Sequence, residues 1–560
     1  MKKCLCFLCF TVMIFAEYAL TDKPKDIQRI SSPKGMVFAD RVFIDSIGNI
    51  STVLGQCKNI TVCQHGDNVA VIYGVTEMPG MIVQIAYSTD SGANWSYYGP
   101  FGYAETVEVS IDGSPDFCTN PGQIYFIMSL HGGYGYYDEL CMMVEENVPS
   151  APSFSILAIL PNSQSPAMWP WEPCIAIAQD NPSYLVVTAW SLLLSGNEWA
   201  YCWISDDGGY TWTDSIPMAF ITQDGASGHV RQGTDGYVFY TYQDYYTYVP
   251  ADSTPYPYYM ESTDGGYTWS PEAPIPGVPV NSGSMFWWHE FDCEVVNNEP
   301  WAIHTDIGAP GGGPYLMHGI GNPGNWTWEK FDVKQLGTCS LTIADTTFYC
   351  YPNQYPNLSY DPVSNTVLAS YKAYYYKKYA GTIYYNGAHI GGIYTTDNGA
   401  NWTITEPLSA PNIGQIAFDD WNSTDVAHRL ANVDGNIYSY ALWAHEVDLI
   451  LYFERGLVKS FLPTGIEEND DVKTTKLSLT LSPTIVSNAC QLRLTTPVKC
   501  EASITILDCA GRKVRELYRG NIETGSHIIE IPTSRLPKGI YFARLETASS
   551  TQVLKFVVAD

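Results

Sequence analysis

Positive charge is scarce in this 560-residue chain: 29 Lys and Arg stand against 58 Asp and Glu, a formal net charge of −29. Nucleic acid and anionic membranes both require a basic face, so the balance argues against either as a partner. Charged residues of both signs reach only 16%, against about 25% in an ordinary soluble domain. Downstream of residue 20 no apolar run approaches the roughly 20 residues of a spanning helix. That same part of the chain has no Cys-x-x-Cys pair or mixed Cys/His cluster, so neither a metal nor another cofactor is expected. What the chain has in excess is Tyr (41) and Gly (46), the composition of many short, turn-linked, aromatic strands.

The first residues read as an export signal. Lys2 and Lys3 precede a twelve-residue apolar run, Cys4 to Phe15, and Ala16 or Ala19 would stand at the cleavage site of a leader spanning residues 1–20. Phe7 and Leu8 before Cys9 are too large for a lipid-anchored signal. Removal of Cys4, Cys6 and Cys9 leaves 12 of the 15 cysteines, an even number in an exported protein. Cys57 with Cys63, Cys339 with Cys350 and Cys490 with Cys500 are pairings that short spacing suggests. The alternative is that Cys63, Cys174 and Cys293, all in apolar strand runs, are small buried hydrophobes.

An eight-residue pattern, S/T-x-D-x-G-x-x-W, occurs four times: Ser88 to Trp95 around Asp90, Ser205 to Trp212 around Asp207, Ser262 to Trp269 around Asp264, and Thr395 to Trp402 around Asp397. A short carboxylate can accept the N–H groups of a tight turn, a Gly two residues on supplies positive φ, and the Trp covers the turn. The segment Gly321 to Trp328 is a degraded fifth copy. The pattern resembles the Asp-box, or BNR repeat, of sialidase-like β-propellers. Turn signals before strongly apolar strands recur at Asp67, Asn120, Asn181, Asp235, Asn298, Val363 and Gly435. Self-similarity at roughly 40–60 residues means propeller blades. The expected architecture over residues 36–463 is all-β and seven-bladed, or six-bladed if the last segment is only part of a blade closed by the N-terminus.

In a four-stranded meander the first and third turns share one face. The Asp-boxes therefore lie with the Asp/Asn/Gly turns, and the remaining loops surround the other mouth. Those loops are chemically richer. They include Met168-Trp169-Pro170-Trp171-Glu172 and the expected ligand-binding residues His229, Arg231, Trp287, Trp288, His289, His428 and Arg429. Binding residues collect on loops held by a rigid scaffold. The alternative reading is that polar groups at inner-strand starts bond channel water and exposed backbone. Glu172, Asp244, Glu290, Asp292 and Asp306 are the candidate catalytic carboxyls. The sialidase resemblance implies three arginines on a substrate carboxylate and an Arg-Ile-Pro-type motif. The nearest piece here is Asp40-Arg41-Val42-Phe43, and arginine is sparse, so no catalytic set carries over.

After Leu462-Pro463 a polar, acidic linker (464–476) leads to a different module at 477–560, an alternating strand pattern expected to form a small Ig-like β-sandwich. Its motifs are Leu507-Asp508-Cys509-Ala510-Gly511-Arg512-Lys513-Val514, Leu536-Pro537-Lys538-Gly539-Ile540-Tyr541-Phe542-Ala543-Arg544-Leu545 and terminal Lys555-Phe556-Val557-Val558. Together they resemble the type A C-terminal sorting domain of the Por, or type IX, secretion system, with Ser482 where Asn is usual. The resemblance implies handling by that machinery and passage to the outer surface of a Gram-negative bacterium, or into the medium. The function expected is recognition of an extracellular glycan or surface protein, with secreted glycoside hydrolysis of sialidase type as the alternative.

Overall fold

The computed structural model describes the strand Val42–Ser46, most of residues 57–460 and most of residues 478–558. The signal (1–20), the linker (464–476) and residues 132–138, 245–256, 277–290, 306–312 and 414–423 are among those outside it. The chain forms two compact units, Met1–Leu462 and Pro463–Asp560.

In the first unit the described strands form seven successive antiparallel sheets, most of them simple meanders. The first runs Ile60–Val62, Val69–Glu77, Gly80–Ser88, Ser96–Ala104. Later sheets begin with the innermost strands Thr106–Gly113, Pro170–Ile177, Ala226–Gln232 and Phe291–Val296. The sixth uses the C-terminal part of the long strand Thr346–Asp361, and the seventh begins at Thr424–Val426. That last sheet takes its outermost strand from the N-terminus: Val42 pairs with Phe453 and Ser46 with Ile450.

Apolar clusters lie between neighbouring sheets. Ile72 and Phe126 share one between the first and second, Met142 and Val187 one between the second and third, and Val186 and Tyr240 the next. Phe239 with Val295, Trp301 with Leu358, and Leu368 with Ala441 continue the series. Tyr73 with Leu442 joins the seventh sheet back to the first. The ring is therefore closed, and this unit is a β-propeller. Strands covered on both faces read as continuous apolar runs: Ile124–His131 and Phe291–Val296 are buried at every position. The outer strand Asn325–Asp332 is buried at none.

The four Asp-box turns are built alike. Ser88 Oγ donates to Asp90 Oδ1 (2.8 Å) and accepts Gly92 N–H (2.8 Å), while Asn94 N–H donates to Asp90 Oδ1 at 2.8 Å. The same three bonds recur around Asp207, Asp264 and Asp397. Gly92 has φ 87°, and a Cβ there would lie 1.9 Å from the Phe453 ring of the neighbouring sheet. Glycine thus serves both the turn and the packing. Trp212 donates its indole N–H to Gly209 O at 2.9 Å. Trp95 and Trp402 instead set their rings edge-on to Phe453 and Phe331 of adjoining sheets, at 5.1 and 5.4 Å. Three of these turns also lean on the first turn of their own sheet through the backbone, Ser91 N–H on Asp67 O, Gly208 N–H on Ser183 O and Gly265 N–H on Gly236 O, and the fourth is met by Asn365 Nδ2 on Asn398 Oδ1 at 3.1 Å. Both kinds of turn therefore share one face.

The degraded copy differs. With no Asp, Asn322 pairs directly with Asn325 across a tight hairpin. Its acceptor comes from the preceding sheet: Glu261 takes Gly324 N–H and, at 2.8 Å, the indole N–H of Trp326. Trp328, assigned by the repeat to the Asp-box position, packs instead against Tyr259, 5.3 Å between centroids.

The cysteine pairings also need correction. Cys57 and Cys63 are free thiols in different apolar clusters, Cys57 sharing one with Cys174, and the side chains of Cys490 and Cys500 lie outside the described residues. Cys339 and Cys350 do stand opposite one another in register. Cys63, Cys174 and Cys293 are fully buried.

In the second unit a three-stranded sheet (Ser478–Ser482, Ala489–Thr496, Gly525–Pro532) accompanies a five-stranded one running from Ile485–Val486 to the edge strand Lys513–Ile522. Leu492 and Ile531 of the first pack against Ile504, Ala543, Leu545 and Phe556 of the second. Two sheets face to face over one core make a small β-sandwich.

Candidate functional site at the propeller axis

Each innermost strand is an apolar run interrupted by polar residues, and these interruptions meet at the axis. Lys58, just before Ile60–Val62, donates to Asp292 Oδ2 at 2.5 Å and to Asn357 Oδ1 at 2.7 Å, with Asp425 at 3.6 Å. Asp292 also takes His229 Nδ1 (2.9 Å) and the N–H groups of Cys293 (2.9 Å) and Leu358 (2.8 Å). Across the axis His428 lies between two carboxylates, with Nε2 on Asp112 at 2.5 Å and Nδ1 3.5 Å from Glu294. Arg231 donates to Val230 O (2.8 Å), its Nε is 3.9 Å from Glu294, and Arg429 donates to Gly113 O (3.2 Å).

Burial and charge work against each other throughout this cluster. For Asp292, burial favours the neutral acid, but Lys58 and His229 overcome it and hold the carboxyl well below its usual range. Asp112 is likewise held low against burial by His428. Burial would depress His428, yet Asp112 and Glu294 raise it. Asp425 goes up, because burial outweighs the help of Lys58. His304, stacked on Phe291 at 5.5 Å, is pushed down to about 3 by burial and by His229.

The structure therefore brings His229, Arg231, His428, Arg429 and Asp292 together, but inside the channel. Asp292 is 1% exposed and Arg231 2%. Both carboxylate oxygens of Asp292 already serve two donors each, so the group has no lone pair positioned for substrate. Trp287, Trp288, His289, Glu290 and Asp306 lie outside the described residues, as does the side chain of Asp244. Sequence reasoning passed over Lys58, Asp112, Glu294 and Asn357. The available signal was a charged residue in a continuous apolar strand, as in Ser110-Ile111-Asp112 or Cys293-Glu294-Val295.

Glu172 sits elsewhere, on the rim opposite the Asp-boxes. Its φ is 51°, at a bulge where the register with the next strand shifts between Trp171 and Cys174. Its N–H donates to Glu108 Oε2 at 2.5 Å. Glu108 lies 3.6 Å from His131 Nε2, and the His131 ring stacks on Trp171, 3.9 Å between centroids at 20°.

Residues 484–559 match the family of secretion system C-terminal sorting domains. This unit is a sorting domain. It directs export by type IX secretion to the cell surface or extracellular space. No helix among the described residues is long and apolar enough to cross a membrane. No curated protein matches the chain. Solved structures similar to it include PorZ, a surface component of the type IX secretion system of Porphyromonas gingivalis (11% identity, 90% of this chain and 70% of that one, TM-score 0.29). Others are a Trypanosoma rangeli sialidase mutant with trans-sialidase activity (12%, 93% and 89%, 0.36) and a Penicillium chrysogenum α-L-arabinanase (11%, 74% and 97%, 0.38). Likenesses this distant leave the fold resting on the sheets themselves.

Proposed function

We propose that the exported propeller is a recognition module for an extracellular glycan or surface protein, presented by the mouth opposite the Asp-boxes. The observation that carries this reading is the state of Asp292. A glycoside hydrolase of the two-carboxyl kind needs those groups about 5–5.5 or 6.5–9.5 Å apart over a cleft that admits substrate. Asp292, Asp112 and Asp425 are instead buried and bonded to Lys58, His428 and backbone N–H groups. The axis acts as a bolt through the ring, which leaves ligand contact to the rim. Trp287, Trp288 and His289 remain part of this proposal by their place in the sequence.

The test is a glycan array run beside a panel of chromogenic glycosides, with the secreted protein. Saturable retention without turnover is the expected result. Turnover abolished by Asp292→Asn while the thermal transition stays in place would overturn the reading in favour of hydrolysis at the axis.

A further inference from the structure

Trp171 is the only exposed tryptophan among the described residues, at 37%. A single exposed indole is ordinary on a protein surface; what sets this one apart is the way it is held. Its setting is unlike that of the packing tryptophans of the Asp-box turns. One face lies on the His131 ring, 3.9 Å between centroids. His131 is itself held by Ser129 Oγ at 3.1 Å. Behind Trp171 the chain bulges at Glu172, whose N–H is held by Glu108. Bulges re-aim side chains, and this one begins at Trp171 itself. The ring is thus braced from one side and anchored in the strand Pro170–Ile177.

We infer that Trp171 is a stacking platform for a neutral hexopyranose unit of a glycan, a specificity that rests on the recognition reading above. The apolar face of a pyranose matches an indole face, and a platform held rigid beforehand loses little freedom on binding. The flanking groups define the sugar class. Glu108, mostly buried with one oxygen on the Glu172 N–H, is the carboxylate beside His131 and Trp171 and repels a uronate or sialate carboxylate. The arginines that would neutralise such an acid, Arg231 and Arg429, point into the axis and donate to Val230 O and Gly113 O. The ligand expected at this rim is therefore uncharged.

Calorimetric titration of the full-length secreted protein with cellotetraose, chitotetraose, lactose, tetragalacturonate and sialyllactose tests this directly. At least one neutral sugar is expected to bind and the acidic ones not. Trp171→Ala is expected to weaken that binding about tenfold or more, the loss typical of a truncated hot-spot aromatic, with the melting temperature unchanged, and Trp171→Phe to retain part of it. If the alanine variant does not fold, Trp171→Leu, which keeps apolar bulk without a ring face, decides in its place. Unchanged affinity in these variants, or preference for the acidic sugars, overturns the platform and leaves glycan recognition standing. No binding of any sugar, here or on the array, overturns both.

Discussion

Glu261 and Trp326 belong to different sheets, yet the carboxylate of one accepts the indole N–H of the other at 2.8 Å. The same carboxylate takes the Gly324 N–H, and Tyr237 O–H at 3.1 Å. The turn that lost its own aspartate has an acceptor supplied from its neighbour. Glu261→Ala removes that acceptor from three buried or half-buried donors. The expected loss is about 1–3 kcal/mol, seen in urea unfolding as a lower midpoint with an unchanged slope. An unaltered midpoint would mean that solvent satisfies those donors equally well.

Asp264→Ala should loosen the fourth sheet's turn by about 1–2 kcal/mol through lost side-chain-to-backbone bonds, with no change in sugar binding, because this turn lies on the opposite face. Hydrogen bonds from the turn hold Asp264 below the ordinary carboxyl range despite the opposing effect of burial, as they do for Asp90 and Asp207, and for Asp397 with Asn401 foremost. Depressed carboxyls stabilise above the unfolded value and lose that contribution as pH falls through the folded one. Acid titration of the wild type should therefore show a loss of stability below about pH 4, reduced in Asp264→Ala.

Two buried histidines should give pH slopes of opposite sign. His428 is raised in the fold, so its contribution is full below about pH 6.5 and is lost as pH rises through the folded value. His304 is depressed to about 3, so folding disfavours its charged form and stability falls as pH drops below about 6.5 toward that value. Melting temperatures of His428→Gln and His304→Gln across pH 4–9 separate the two. Parallel profiles in both variants would contradict the assignment.

Cys339 and Cys350 are free thiols facing one another in register, and the chain is exported. Disulfides persist outside the reducing cytoplasm. Peptide mapping of the secreted protein without reductant should recover these two residues in one cross-linked peptide. Full alkylation of both thiols would show that they stay reduced.

Deletion of Leu477–Asp560 should leave the propeller folded and abolish its appearance outside the cell, read by cell fractionation and proteolysis. Normal display of the shortened chain would remove the export role of the C-terminal unit.

What the sequence made legible was what is local. An Asp-box gathers its donors within eight residues, so Ser88, Asp90 and Gly92 announce the turn without knowledge of the fold. The compensation at Glu261 was not legible, because a glutamate on a strand looks the same whether it caps a turn 63 residues away or faces water. His229 and His428 were expected at the mouth, from their phase at inner-strand starts. Phase says nothing of depth, however, and Arg231 was read as a mouth residue although its strand, like Asp292 beside it, runs through the buried channel. Trp171 was visible only as one aromatic in Met168-Trp169-Pro170-Trp171-Glu172, because the bulge that aims it depends on a contact with Glu108 in the preceding sheet.

The pairing of Val42–Ser46 with Ile450–Lys459 has a temporal consequence. The strand that completes the circle is made first and placed last. Until residue 459 has emerged, the seventh sheet has no third strand for Val42 to join, and the first sheet's Tyr73 and Val71 have no Leu442 or Phe453 to cover them. Contacts of such long sequence separation form slowly, because their loop entropy is lost before any contact repays it. A chain of this design cannot close its ring before nearly all of the propeller has been made.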